Sequence, residues 1–214
     1  GDTHEYYEFE INAFGTEWDL FLSRPYRDGG RAINAWDIQG LLTAIGVEGT
    51  INKSDDIDER WSVEIAMPWS VLKEAARRPA PPEPGDQWRV NFSRVEWTTA
   101  IVDGAYVKRT DPTTGKSLRE DNWVWSPQGL INMHYPERWG ITQFSSHVAG
   151  AGRDEFVPSA ADRAKGLLHQ FYYRERIWRA QNGSYTTNLA DLDIENPQLD
   201  GYQWPPQIKH TDGQ

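Results

Sequence analysis

Hydrophobic and polar positions alternate along most of this chain in short period-two runs, separated by Gly, Pro and Asp turns, before one late run switches to a helical stripe. Glu5 to Asn12 alternates cleanly, with Tyr7, Phe9 and Ile11 on the apolar face and Glu8 and Glu10 on the polar one. Glu17 to Ser23 sets Trp18, Leu20 and Leu22 on one side, and a polar loop follows from Arg24 to Gly30. Leu41 to Val47 predicts a strand, as does Trp61 to Met67, where Trp61, Val63, Ile65 and Met67 are expected to face inward. Gln87 to Trp97 predicts the longest strand, with Trp88, Val90 and Phe92 inward and Arg89, Asn91 and Ser93 outward. Beyond Phe92 the inward face turns polar at Arg94 and Glu96, which are placed to pair or to be solvated. Trp123 and Trp125 share one face of a further extended run, Ser126 to Gly129 turns the chain, and Trp139 to Phe144 reads as the last strand.

Two helices interrupt this pattern. Pro68 can occupy the first position of a short helix over 69–76, after which Pro79 to Gly85 forms a Pro-rich break. Ser159, with Asp162 three residues on, predicts a capping box for a helix over 160–182 that carries Ala164, Leu167, Leu168, Phe171 and Trp178 as a stripe and ends at Gly183. One amphipathic helix cannot bury its own stripe, so it is expected to dock on the strand-rich part or on a neighbouring domain. The segment from Leu167 to Leu192 is similar in local shape to the helix and cap of pilin-like proteins, although the apolar N-terminal helix that assembles pilins is absent. The fold class that follows is mainly β: an antiparallel β-sandwich of immunoglobulin or jelly-roll kind over 1–148, a linker over 149–158 and a helical C-terminal extension over 159–214. Gly1 to His4 runs straight into the first strand without an initiator Met, and the chain is therefore expected to be a fragment or processed product.

Composition narrows the chemistry. The 214 residues include 11 Trp, 9 Tyr and 7 Phe, yet mean hydropathy is −0.74, so rings are abundant in an otherwise polar chain. Formal net charge is −10, most of it within residues 1 to 150, which argues against nucleic acid because phosphate binding needs a concentrated basic surface. Membrane association is not expected, since no apolar run approaches about 18 residues. No secretory signal opens the chain, and the absence of Cys removes disulfides, thiolate nucleophiles and thiolate metal sites. The five histidines are scattered at positions 4, 134, 147, 169 and 210, so no zinc site is expected.

The stretch from Asn122 to Phe144 carries the densest chemistry, with three tryptophans, a histidine and two prolines in a non-repetitive run. Flat ring faces beside amide and imidazole groups suit a pyranose, whose C–H face is apolar and whose rim is hydroxyl. Filling a sandwich core is the competing use of the same tryptophans. Five segments, Y-Y-E-F-E-I-N, R-P-Y-R-D-G-G, W-S-V-E-I-A-M-P-W, G-D-Q-W-R-V-N-F-S-R-V-E-W and W-S-P-Q-G-L-I-N-M-H-Y-P-E-R-W-G, together resemble carbohydrate-binding module family 9 and its bacterial relatives over roughly residues 2 to 145.

That resemblance implies a two-sheet β-sandwich that grips a terminal sugar between two tryptophans, within a secreted, periplasmic or cell-surface protein that degrades polysaccharides, with structural calcium in some members. It implies that one clamp tryptophan and a glutamate lie upstream of the Y-Y-E-F-E-I-N segment. The second clamp tryptophan corresponds to Met133, a family arginine to Glu10 and a family glutamine to Ser93, which marks a divergent branch. The ligand-binding set expected for an oligosaccharide or polysaccharide is Glu10, Ser93, Trp97, Trp125, Asn132, Met133 and His134, with Trp125 or Trp97 as the replacement platform.

Other readings compete. Glu8 and Glu10 lie about 6.7 Å apart by strand rise, within the general range of a glycosidase carboxylate pair. Relatives of this sandwich hold haem between Met and His or Lys, which brings Met67, Met133 and His134 into view, although Met133 and His134 are neighbours and cannot clamp one iron from both sides. A structural domain that docks a partner is the third. Asp55, Asp56 and Asp58 sit in an oxygen-rich loop of the kind that takes calcium, though without the spacing of a dedicated calcium loop.

Overall fold

The computed structural model describes residues 4–76, 79–194, 199 and 201–209. Two compact units divide the chain, Gly1–Asp154 and Glu155–Gln214. The end of the expected helical extension, including His210, lies outside the described residues.

The first unit is strand-rich, and its pairings among the described residues are antiparallel. Strands β1 (Tyr6–Ile11), β2 (Glu17–Leu22) and β3 (Ala32–Ile33) form one sheet in that order. Four two-stranded ladders follow: β4 (Leu42–Glu48) with β5 (Arg60–Ala66), β6 (Gln87–Val90) with β11 (Gly140–Gln143), β7 (Ser93–Glu96) with β10 (Asp121–Val124), and β8 (Thr99–Val102) with β9 (Ala105–Lys108). The expected long strand over 87–97 is two strands. The chain changes partner at Asn91–Phe92, pairing with β11 before the break and with β10 after it. The β8–β9 hairpin was not foreseen, yet its signal is present: Asp103-Gly104 takes φ of 50° and 79°, the left-handed pair that a two-residue hairpin turn requires.

Burial reverses one expected face. Tyr6 pairs across the ladder with Leu22, and Glu8 with Leu20. Tyr6, Leu20 and Leu22 form the buried cluster, with Ala32 and Trp139 packed against it. The face carrying Tyr6 and Glu8 thus packs inward near its start, because the register sets it beside Leu22 and Leu20, while Tyr7, Phe9 and Ile11 are half-buried on the other face. Tyr7, on the opposite face, stacks on Trp36 at 4.7 Å and meets Phe21 at 5.4 Å. The β4–β5 ladder also departs from expectation. Trp61, Val63 and Ile65 are 36%, 36% and 43% exposed instead of buried in a core; the face they share with Thr43 and Ile45 meets the first sheet at Gly15 and Glu17.

The 69–76 segment begins as a 3₁₀ turn over Trp69–Leu72 and makes one α turn, α1 (Lys73–Ala76). Trp69, Trp88 and Phe144 meet edge to face at 5.4 to 5.6 Å, which fixes this turn against β6 and the end of β11. In the second unit, α2 spans Ala160–Asn182 as expected and ends at Gly183, whose N–H donates to the Arg179 carbonyl. Ser159 stands at its N-cap but its side chain makes no capping hydrogen bond; its backbone carbonyl accepts from Asp162 N–H at 3.1 Å and Arg163 N–H at 3.4 Å. Beyond the helix, Thr186 N–H donates to Glu175 and Thr186 Oγ1 donates to Asp191, closing the N-G-S-Y-T-T-N-L-A-D-L segment onto α2.

Loops of the first unit are tied by charge. Arg27 Nη2 donates to Glu137 Oε2 at 3.1 Å, and Nη1 lies 3.1 Å from Oε1. Their side chains are 13% and 2% exposed, and the guanidinium also lies 4.5 Å over the Tyr135 ring. Replacing Arg27 by Met leaves a buried carboxylate without its cation, so urea unfolding should show a loss of about 3–5 kcal/mol. The double variant Arg27→Met/Glu137→Leu should recover most of that loss. A single variant as stable as the parent would show that the pair does not hold these loops.

Candidate functional site

Two groups of side chains in the first unit carry chemistry. The first is built where β1, the loop after β2 and the loop before β11 converge. Asn132 Oδ1 accepts from His134 N–H at 2.8 Å, forming a local turn, and Trp139 Nε1–H donates to the Met133 carbonyl at 2.6 Å. The turn aims His134 at Tyr6, whose hydroxyl is 3.0 Å from Nδ1. Tyr26 meets the imidazole edge to face at 4.7 Å. Glu8 Oε2 lies 3.7 Å from His134 Nδ1, its side chain only 21% exposed. That oxygen is shielded from solvent and has no hydrogen-bond partner.

The electrostatics follow from burial. Desolvation, then the Glu10 charge and a carboxyl–carboxyl hydrogen bond with Glu10, push Glu8 up to about 7. Burial holds His134 below its ordinary value and raises Tyr6 well above it. Both shifts favour the neutral forms of Tyr6 and His134, which share the hydrogen bond between the Tyr6 hydroxyl and Nδ1. Glu8 is thus a mostly buried acid, not the solvated surface glutamate that the alternation implied. Sequence reasoning missed Tyr26, Arg27 and Glu137 here; R-P-Y-R-D-G-G and P-E-R were visible, but nothing local says that two loops 110 residues apart in sequence exchange an ion pair.

The second group lies on the β7–β10 ladder. Register places Trp123 opposite Arg94 and Asp121 opposite Glu96, and Trp125 N–H continues the ladder by donating to the Phe92 carbonyl at 3.0 Å. Phe92, Trp123 and Trp125 thus share one face and are 62%, 67% and 46% exposed. Arg94 and Glu96 form the expected pair, Nε to Oε1 at 2.9 Å. Trp125 is held at its edge: Nε1–H donates to the Val90 carbonyl at 2.9 Å, and Phe92 meets the ring at 5.7 Å. Gly140 permits this packing, because a Cβ there would come 2.5 Å from Trp125 Cζ2.

The expected ligand-binding set is therefore divided. Glu10, Asn132, Met133 and His134 belong to the first group, where Asn132 and Met133 spend the groups described above on internal hydrogen bonds. Trp125 belongs to the second. Ser93 pairs with Val124 on the opposite face of that ladder. Trp97 is covered in part by Lys108, whose Nζ stands 3.2 Å above the ring centroid. Asp55 pairs with Lys53 at 3.6 Å, while Asp56 and Asp58 accept from Thr50. Among the described residues no three His, Asp or Glu side chains are grouped to share a metal ion.

Glu8 gives a pH test with a definite sign. Its folded value stands above its unfolded one, so its contribution to stability is whole below about pH 4.5 and is lost as pH rises through about 7. Glu8→Gln should gain on the parent over that window by up to about 3 kcal/mol, order of magnitude, and hold the gain above pH 8. Because His134 Nδ1 lies 3.7 Å from Glu8, both proteins are compared in a His134→Gln background, which removes its opposing titration. Parallel stability curves from pH 4 to 8 would mean that Glu8 is not buried as described.

No family model, curated protein or solved structure matches this chain.

Proposed function

We propose that this chain is a non-catalytic carbohydrate-binding module, a divergent β-sandwich similar to carbohydrate-binding module family 9, that recognises an oligosaccharide or polysaccharide as part of a secreted, periplasmic or cell-surface polysaccharide-degrading protein. The observation that carries it is the solvent-facing Phe92–Trp123–Trp125 face, rimmed by the Arg94–Glu96 pair. An exposed indole is costly to keep in water unless something covers it, and contiguous exposed apolar groups with a polar rim mark binding surfaces. Ring faces supply the apolar contact that a sugar's C–H surface needs, and the planar guanidinium and carboxylate supply donors and acceptors for hydroxyls at its edge.

Binding fits the acids better than hydrolysis does. Glu8 is mostly buried against Tyr6 and His134, whereas carboxyls that flank a scissile glycosidic bond must reach the substrate from both sides. A docking role for the module has its own support in the exposed Trp61, Val63 and Ile65 of the β4–β5 ladder, and a module can both bind sugar and pack on a neighbouring domain.

Calorimetry against a panel of neutral oligosaccharides tests the reading. Trp125→Ala should weaken binding by the roughly 0.5–1.5 kcal/mol of a ring contact plus the lost area. Asn132→Ala should act through loop stability, with affinity little changed. Unchanged affinity in a folded Trp125→Ala protein would place the site elsewhere.

A further inference from the structure

A terminal sugar and the run of a glycan chain make different demands on a protein. An end is caught by rings that oppose each other across a slot, whereas a chain is met by rings arrayed along one surface. Trp123 lies in β10 and Trp125 just past its end, where its N–H continues the ladder, so the two arise from the same side about 6.8 Å apart by strand rise. Phe92 joins them from the residue before β7, meeting Trp125 at an interplanar angle of 71°. Trp125 is not free to swing over and close a slot. Its Nε1–H is engaged by Val90, and its ring edge lies against the Gly140 backbone, where not even a methyl group fits.

The rim sets the charge of the ligand. On this face Asp121 stands opposite Glu96, and Arg94 is paired with Glu96 at 2.9 Å, which leaves two acids to one base. The surrounding chain is acidic as well, with a formal net charge of −10. A uronate or sulfated glycan would meet repulsion without a matching cation, while hydroxyls can use both the pair and the free acid. The opposite face of the ladder carries Ser93, Val95, Asn122 and Val124 instead of rings, so the aromatic side alone has the flat surface that a pyranose needs.

We propose that the Phe92–Trp123–Trp125 face takes an uncharged, linear glycan along its length, engaging two or more adjoining sugar units instead of gripping a terminal one. The inference rests on the binding reading above and names the part of the glycan that this site recognises. Trp125, fixed at its edge, is the anchor; Trp123, the most exposed of the three, meets the next unit.

Calorimetric titration of the full chain with cello-oligosaccharides from one to six units, the same series reduced to alditols at the end, and an oligogalacturonate of matched length tests this. Affinity should rise roughly tenfold from two units to four and survive reduction of the end, with the uronate roughly tenfold weaker. Trp123→Ala, at a surface position that the fold does not need, should flatten the length dependence, while Trp125→Ala lowers affinity for every member. Binding of the single sugar as tight as that of the tetramer, or loss of binding on end reduction, would overturn the inference and leave the module reading standing. Failure of every neutral glycan in a broader panel would overturn the module reading, and this inference with it.

Discussion

A guanidinium and a carboxylate withdrawn from water hold the first unit's loops in place. Arg27 and Glu137 come from segments far apart in sequence, and burying both is worthwhile only because each neutralises the other. Around that pair the rest assembles. Arg27 Nη1 also reaches the His134 carbonyl at 3.5 Å, Tyr135 lies beneath the guanidinium, and Trp139, next along the chain, packs on Tyr6 at 5.2 Å. The pair ties the loop before β11 to the loop after β2, while Tyr6 seats it on β1 through His134 and Trp139.

From this seat the geometry runs outward to the aromatic face. Trp139 leads into Gly140, which pairs with Val90, and those two positions bracket Trp125: one supplies the space its ring edge fills, the other the carbonyl its indole N–H needs. The indole's polar handle is thus spent on the scaffold, and what it offers to solvent is ring surface. A contact made of ring surface and dispersion suits a neutral ligand with an apolar face, and it depends on preorganisation because each such contact is weak. The Glu8 cluster plays a different part. Burial and the Glu10 charge push its acid up to about 7, and Glu8 stands 3.7 Å from the His134 ring of the loop.

Much of the fold was legible because it is local. Period-two alternation located β1, β2, β4, β5, β10 and β11, and the stripe from Ala164 to Trp178 with Gly183 behind it set both ends of α2. What stayed hidden was long-range. Nothing in Q-W-R-V-N-F-S-R-V-E-W says that its two halves pair with different strands, since that is decided by β10 and β11 some fifty residues and fewer downstream. Alternation also misassigned Tyr6, because the register of β1 on β2 sets its face beside Leu22 and Leu20. At the site, Trp125 was singled out by its ring and its neighbourhood, and the structure puts that ring at the surface. His134 and Asn132 had the right chemistry for hydroxyls, but their turn uses it internally. The Asp103-Gly104 turn of the β8–β9 hairpin is a local signal of the same legible kind.

The central claim is that the Phe92–Trp123–Trp125 face, and not the Glu8–His134 cluster, meets the ligand. Indole N–H resonances, assigned by single tryptophan substitutions and followed through a titration with a neutral oligosaccharide, test it most directly. Shifts are expected at Trp123 and Trp125, with Trp36, Trp88 and Trp139 unmoved. Shifts confined to Trp139 and the His134 ring, with Trp123 and Trp125 silent, would contradict it.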